Sequence, residues 1–148
     1  MVPLEINVAG LLGGEQPDEL IRTLNEHLAA GTSCVVYTSR ELITGNSDAD
    51  NLKIGQTVSQ VLVDLVRQLP VAPRYLVAKG GITSCDLATK GLQMRRAIVR
   101  GQILPGIPVW EPDATSLFPG LTYIAFPGNV GSDEALLEAV RKLEWRSA

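Results

Sequence analysis

The stretch Tyr75-Leu76-Val77-Ala78-Lys79-Gly80-Gly81-Ile82-Thr83-Ser84 holds the residue types that could bind an anion. A short apolar run stops at a lysine and a glycine pair, and a Thr/Ser pair opens a segment with helical spacing. That order puts bare backbone amides at a helix N-terminus, where unpaired N–H groups and a partial positive charge favour phosphate. The glycines let a ligand approach the main chain and permit positive φ. Lys79 would add charge, and the hydroxyls of Thr83 and Ser84 would bond phosphate oxygens. The plainer alternative is a tight strand-to-helix turn with an ordinary cap. Neither the P-loop pattern nor the GxGxxG fingerprint is present, so neither mechanism transfers.

A second glycine loop, Pro127-Gly128-Asn129-Val130-Gly131, also stands between an apolar run and a helical pattern. Asp133 and Glu134 follow it and would repel a phosphate placed on that helix end. Gly128, Asn129 and Gly131 therefore suit ribose, base or cleft wall better than triphosphate. Arg40 lies at another strand end, with Thr38 and Ser39 beside it; each reads equally as a solvated or turn residue. Asp48-Ala49-Asp50-Asn51 lacks the spacing of a calcium loop. His27 is the single histidine, so no Ser/His/Asp or Cys/His constellation can be drawn. Cys85, just past the glycine pair, reads as a small buried residue.

The elements that must carry these residues alternate between short apolar runs and helical stripes. Leu4 to Val8, Ser33 to Thr38, Arg74 to Ala78, Arg96 to Val99 and Leu121 to Phe126 read as strands. Leu20, Ile21, Leu24 and Leu28 form a helical stripe that Gly31 closes. A polar loop from Arg40 to Lys53 precedes a second stripe, Val58, Val61, Leu62, Leu65 and Leu69, stopped by Pro70. Thr83 to Asp86 matches a capping box, and Ser132 would cap a last helix bearing Leu136, Leu137, Val140 and Leu143. This alternation predicts a single α/β domain over residues 1–148, a mostly parallel sheet in three layers with helices on its faces. Right-handed crossovers would bring the loops after Thr38, Lys79 and Phe126 to one sheet edge.

Bulk properties narrow the partners. The 148 residues suffice for one core, and the formal net charge of −3 leaves no general basic footprint for nucleic acid. No apolar run is long enough for a membrane span, and the N-terminus lacks the regions of a secretory signal. The two cysteines, Cys34 and Cys85, read as reduced thiols of a cytoplasmic protein.

Lys79-Gly80-Gly81-Ile82-Thr83-Ser84, then Gly101 to Trp110 with its Pro105-Gly106-Ile107-Pro108, then Phe126 to Gly131 occur in an order that resembles a known family. The chain is similar, over about residues 4–143, to the C-terminal nucleotide-binding domain of the four-carbon acid sugar kinases. Val36-Tyr37-Thr38-Ser39-Arg40 shares the likeness. The resemblance implies ATP, with Mg²⁺, at Gly80, Gly81, Ile82 and Thr83 and at the Gly128–Gly131 loop, with the Pro105–Pro108 segment shaping the cleft. It further implies phosphorylation of sugar acids such as threonate and erythronate, using a sugar-acid-binding lobe that this sequence does not contain. That lobe would be a partner in cis or in trans, and the chain alone is expected to be inactive. Phe126 stands where many members have lysine. An alternative from another class is a non-catalytic domain that binds a partner chain or itself through apolar surface. A dinucleotide-binding fold is disfavoured, because Ala9 to Gly14 holds no GxGxxG.

Overall fold

A computed structural model describes residues 1–41 and 43–145 of the chain. Within the expected Arg40–Lys53 loop, Leu42 lies outside the described residues. The chain forms two compact units, Met1–Val71 and Ala72–Ala148.

In the first unit, β1 (Val2–Ile6) and β2 (Cys34–Thr38) pair in parallel, with Leu4 opposite Val36 and Ile6 opposite Thr38. Between them come a short helix α1 (Val8–Leu12) and α2 (Asp18–Ala29), and after β2 comes α3 (Asp48–Arg67). Leu4 and Ile6 from one face of the sheet pack with Leu24 of α2 and with Val61 and Leu65 of α3. Helix α2 ends as its sequence predicts. Gly31 has φ 74°, and the Thr32 and Gly31 amides donate to His27 O and Leu28 O at 2.9 and 3.0 Å. This pair of hydrogen bonds closes the last turn and needs the left-handed backbone that glycine adopts at little cost. Helix α3 starts earlier than the apolar stripe suggested. Ser47 caps it, accepting from the Asp50 amide at 3.2 Å, and Asn51 Oδ1 takes the Gly45 N–H at 2.8 Å. The Asp48–Asn51 run is thus the acidic first turn of a helix.

The second unit is a three-layer α/β body. Its four strands are β3 (Tyr75–Lys79), β4 (Ala97–Leu104), β5 (Ile107–Pro112) and β6 (Thr122–Phe126), in the order β3-β6-β5-β4. Helix α4 (Gly81–Asp86) continues into a π-helical turn over Leu87–Gly91, and α5 (Ala135–Trp145) follows β6. On one sheet face Ile124, Phe126 and Ile107 pack on Ala135 and Ala139 of α5; α4 packs against β3 and β6.

The α/β class matches the sequence, but the sheet is less parallel than expected. β3 and β6 pair in parallel, whereas β5 runs antiparallel to both β6 and β4. The cause is a hairpin that reads in sequence as a strand followed by turns. Pro105 and Gly106 form its two-residue loop, and Gly106 has φ 79°. Proline followed by a positive-φ glycine is the pair a type II turn needs.

After the π turn, Gln93 takes φ 55°, the role Gly31 plays in α2. A side chain is strained there. Gln93→Gly is expected to stabilise the protein by about 0.5–1 kcal/mol in chemical denaturation; an unchanged or lower midpoint would contradict this.

Candidate functional site

Parallel pairing sets Lys79 opposite Phe126, so β3 and β6 end together. The Gly80 N–H donates to Phe126 O at 2.8 Å, carrying the ladder one step past Lys79. A Cβ built on Gly128 would lie 3.9 Å from the Gly80 Cα. The two glycine loops, some fifty residues apart in sequence, are therefore side by side at one sheet edge. Alternation places Lys79, exposed at this edge, on the same face as Phe126 and α5.

Each glycine of the first turn has its own reason. Gly80 adopts φ 101° and ψ 141°, a conformation open essentially to glycine alone. At Gly81 φ lies outside the positive region, and a Cβ would meet nothing within 4 Å, so this position faces open space. The first helical bond is Ser84 N–H to Gly80 O, at 2.8 Å. The amides of Gly81, Ile82 and Thr83 precede it and have no carbonyl inside the helix to bond. Gly80 supplies no side-chain cap, and no acid lies in the first turn. Thr83 Oγ1 stands 3.8 Å from the Cβ direction of Gly80, at the turn itself. Ile82 is 80% exposed beside it.

Ser84 is differently placed. The capping box read from Thr83 to Asp86 does not form, because the helix already starts at Gly81. Ser84 is 6% exposed, and its hydroxyl lies 2.7 Å from both Ala78 O and Gly80 O. A single proton shared between those carbonyls leaves it turned inward, so Thr83 is the hydroxyl at the surface of this turn.

Below it, Tyr123 of β6 is fully buried. Its hydroxyl donates to Ser84 O at 2.7 Å, and its ring stacks on Trp110 with centroids 6.0 Å apart. Sequence reasoning missed both aromatics; the apolar strand pattern hides that one ring carries a polar tip. Burial, with a smaller contribution from charge on Cys85, pushes the Tyr123 phenol well above its ordinary value of 10.0. The unfolded chain therefore releases this proton first as pH rises. Tyr123 contributes stability that is fully present below about pH 10 and is lost above it, at about 1.4 kcal/mol per pH unit. Between pH 10 and 11 the stability of Tyr123→Phe, measured in urea, should fall less steeply than that of the wild type; equal slopes would contradict the shift.

The second loop is shaped from both sides. Gly131 has φ 91°, and a Cβ there would sit 2.5 Å from the Ala135 Cβ at the start of α5. Gly106 of the hairpin turn leaves room for Val130, whose Cγ1 is 3.1 Å from the Gly106 Cβ direction. The Pro105–Pro108 segment thus abuts the loop, while Gly128 and Asn129 stay exposed. Asp133 and Glu134 lie just before α5, and the Ser132 carbonyl accepts the Ala135 amide at 3.0 Å.

The loop after Thr38 belongs to the first unit. Ser39 is occupied locally, its Oγ accepting the Val8 amide at 3.3 Å. His27 lies in the last turn of α2, where a cation is favoured. Both cysteines are free, and Cys85 is exposed rather than buried. Among the described residues no group of at least three His, Cys, Asp or Glu is placed to hold a metal, and no helix is long and apolar enough to cross a membrane.

A family described as "Nucleotide-binding C-terminal domain" matches residues 1–136. The chain belongs to this family. Both glycine loops lie inside the matched range. No curated protein matches the chain. Solved structures share the fold of the nucleotide-binding domain at low identity. A Salmonella typhimurium LT2 protein, provisionally described as a tRNA synthase, has a TM-score of 0.71 and 17% identity, covering 95% of this chain and 35% of that one. A Bordetella bronchiseptica protein with a domain of unknown function, a domain-swapped dimer with bound citrate, has a TM-score of 0.67 and 16% identity, covering 96% and 34%. A Haemophilus influenzae protein of the same unknown-function class has a TM-score of 0.66 and 14% identity, covering 95% and 34%. The nucleotide-binding domain thus spans about a third of the length of the solved structures it matches.

Proposed function

We propose that residues 1–148 act as one ATP-binding lobe of a kinase that phosphorylates four-carbon sugar acids of the threonate or erythronate type. The observation that carries this reading is the juxtaposition of the Gly80–Gly81 turn and the Gly128–Gly131 loop on neighbouring strand ends, in a chain of the nucleotide-binding family. The amides of Gly81, Ile82 and Thr83 would take phosphate oxygens, helped by the Thr83 hydroxyl and the Lys79 charge. Ser84 would hold the turn in shape from inside. Gly128, Asn129 and Gly131 would border the ribose or base. Mg²⁺ fits as a metal that takes phosphate oxygens as ligands and arrives with the nucleotide.

Phosphoryl transfer also needs the acceptor hydroxyl in line with the γ-phosphate. That acceptor site would belong to a sugar-acid-binding lobe, supplied in cis or in trans, and this chain by itself should show no kinase activity. The test is thermal unfolding with increasing Mg-ATP. At a hundred times the dissociation constant a native-state ligand adds about 2.7 kcal/mol, a rise of roughly 5–10 °C for a chain of this size. No rise at millimolar Mg-ATP would defeat the reading. The second reading, a domain that binds a partner chain or a second copy without nucleotide, is favoured by Ile98 and Val99, 53% and 66% exposed on the edge strand β4.

A further inference from the structure

We infer that Tyr123 is a positioning residue for the proposed nucleotide site, holding the Gly80–Ser84 turn against the sheet at a fixed offset from the Gly128 loop. The inference rests on the nucleotide-binding reading above. Strand β6 touches the first glycine turn at two points. The Phe126 carbonyl accepts the Gly80 amide at 2.8 Å, and the Tyr123 hydroxyl donates to the Ser84 carbonyl at 2.7 Å. One bond fixes the entry to the turn and the other fixes the end of its first helical revolution. The free amides of Gly81, Ile82 and Thr83 lie between them.

The same strand continues directly into Pro127 and Gly128, so one rigid element sets both loops. The Tyr123 bond is shielded from competition by water, since Tyr123 has no exposed surface and Ser84 has 6%. The Ser84 hydroxyl, shared between Ala78 O and Gly80 O, ties the same residue back to β3. Trp110 stacks on the Tyr123 ring and restricts where the phenol can point. An anion site made of backbone amides depends on where that backbone stands, because no side chain can swing to correct an error. The Ser84 carbonyl must therefore be held, and Tyr123 is the side chain that holds it.

Calorimetric titration of the full chain with Mg-ATP and with adenosine tests this, using wild type, Tyr123→Phe and Trp110→Leu. Tyr123→Phe keeps the ring and removes the bond from β6, leaving the Ser84 carbonyl bonded only within the helix, where it accepts the Leu87 amide. Mg-ATP should bind it about tenfold more weakly, with adenosine unchanged because adenosine has no phosphates to place. Trp110→Leu loses the stack and keeps the hydroxyl, and should change ATP affinity by less than about twofold on the same reasoning. Equal ATP affinity in Tyr123→Phe and wild type overturns the inference. So does an equal loss in Trp110→Leu or an equal loss toward adenosine, since either marks general loosening.

Should the wild type bind no ATP, the nucleotide reading fails, and amide exchange decides the clamp by itself. Faster exchange at the hydrogen-bonded Gly80 and Ser84 amides in Tyr123→Phe, with Ile124 unchanged, supports it; unchanged exchange at both overturns it. Should Tyr123→Phe fail to fold, the hydroxyl proton of Tyr123 in the wild type is followed by NMR. A shift on adding Mg-ATP supports the inference, and an unmoved signal overturns it.

Discussion

Gly81→Asp is expected to remove the Mg-ATP-dependent rise in melting temperature without lowering the melting temperature of the free protein. The folded state has room for the change. A Cβ at position 81 meets nothing within 4 Å, and φ there lies outside the positive region. An acid at the first helical position also complements the dipole, a gain of about 0.3–1 kcal/mol, and losing glycine's freedom in the unfolded chain acts in the same direction. The bound state does not tolerate it, because the carboxylate would stand among the amides proposed to receive phosphate. Juxtaposed like charges cost several kcal/mol, so affinity should fall by about two orders of magnitude. A variant that keeps the wild-type response would place the phosphates elsewhere. Gly80 offers no such clean test, since φ 101° already forbids a side chain and any loss of binding would be confounded with strain.

The largest loss of stability is expected at Phe126→Lys. Many members of the resembling family carry lysine at this position, which invites the substitution as a way to add phosphate-facing charge. Here Phe126 is 2% exposed and packs with Ile124, Ile107, Leu104, Ala135 and Ala139 under α5. Removing a buried Phe ring costs about 3–5 kcal/mol, and an unpaired ammonium placed there costs more. The marginal stability of a domain is about 5–15 kcal/mol, so Phe126→Lys should unfold largely or wholly at 37 °C by circular dichroism. A folded variant with unchanged stability would show that position 126 can face solvent and would reopen it as a phosphate contact. Lys79, exposed at the adjacent strand end, is the cation that the fold leaves at this edge.

Much of the architecture was legible because local signals suffice for it. The stripe from Leu20 to Leu28 and the closing Gly31 specify α2 through spacing and a positive-φ position, and the structure shows the predicted end. Helix α3 starts before its apolar stripe because such a stripe cannot mark an exposed first turn. The Ser47-x-x-Asp50 cap was the available signal. The hairpin of β4 and β5 reads in sequence as strand plus turns, since Pro105 and Gly106 announce a reversal without saying which strands will pair. For that reason local signals do not give the direction of β5, and the sheet is less parallel than they predict.

Sequence by itself determined the class of the fold, the two glycine loops and the membership that the family match confirms over residues 1–136. These follow from periodicity, from glycine's unique backbone range and from motif order, all properties of neighbouring residues. Tertiary structure alone decided that Gly80 lies against Gly128, that Ser84 turns inward, and that Tyr123 reaches it from β6. Each of those depends on which strands become neighbours. Strand pairing is a long-range contact, and its free energy comes from burial shared across the whole sheet.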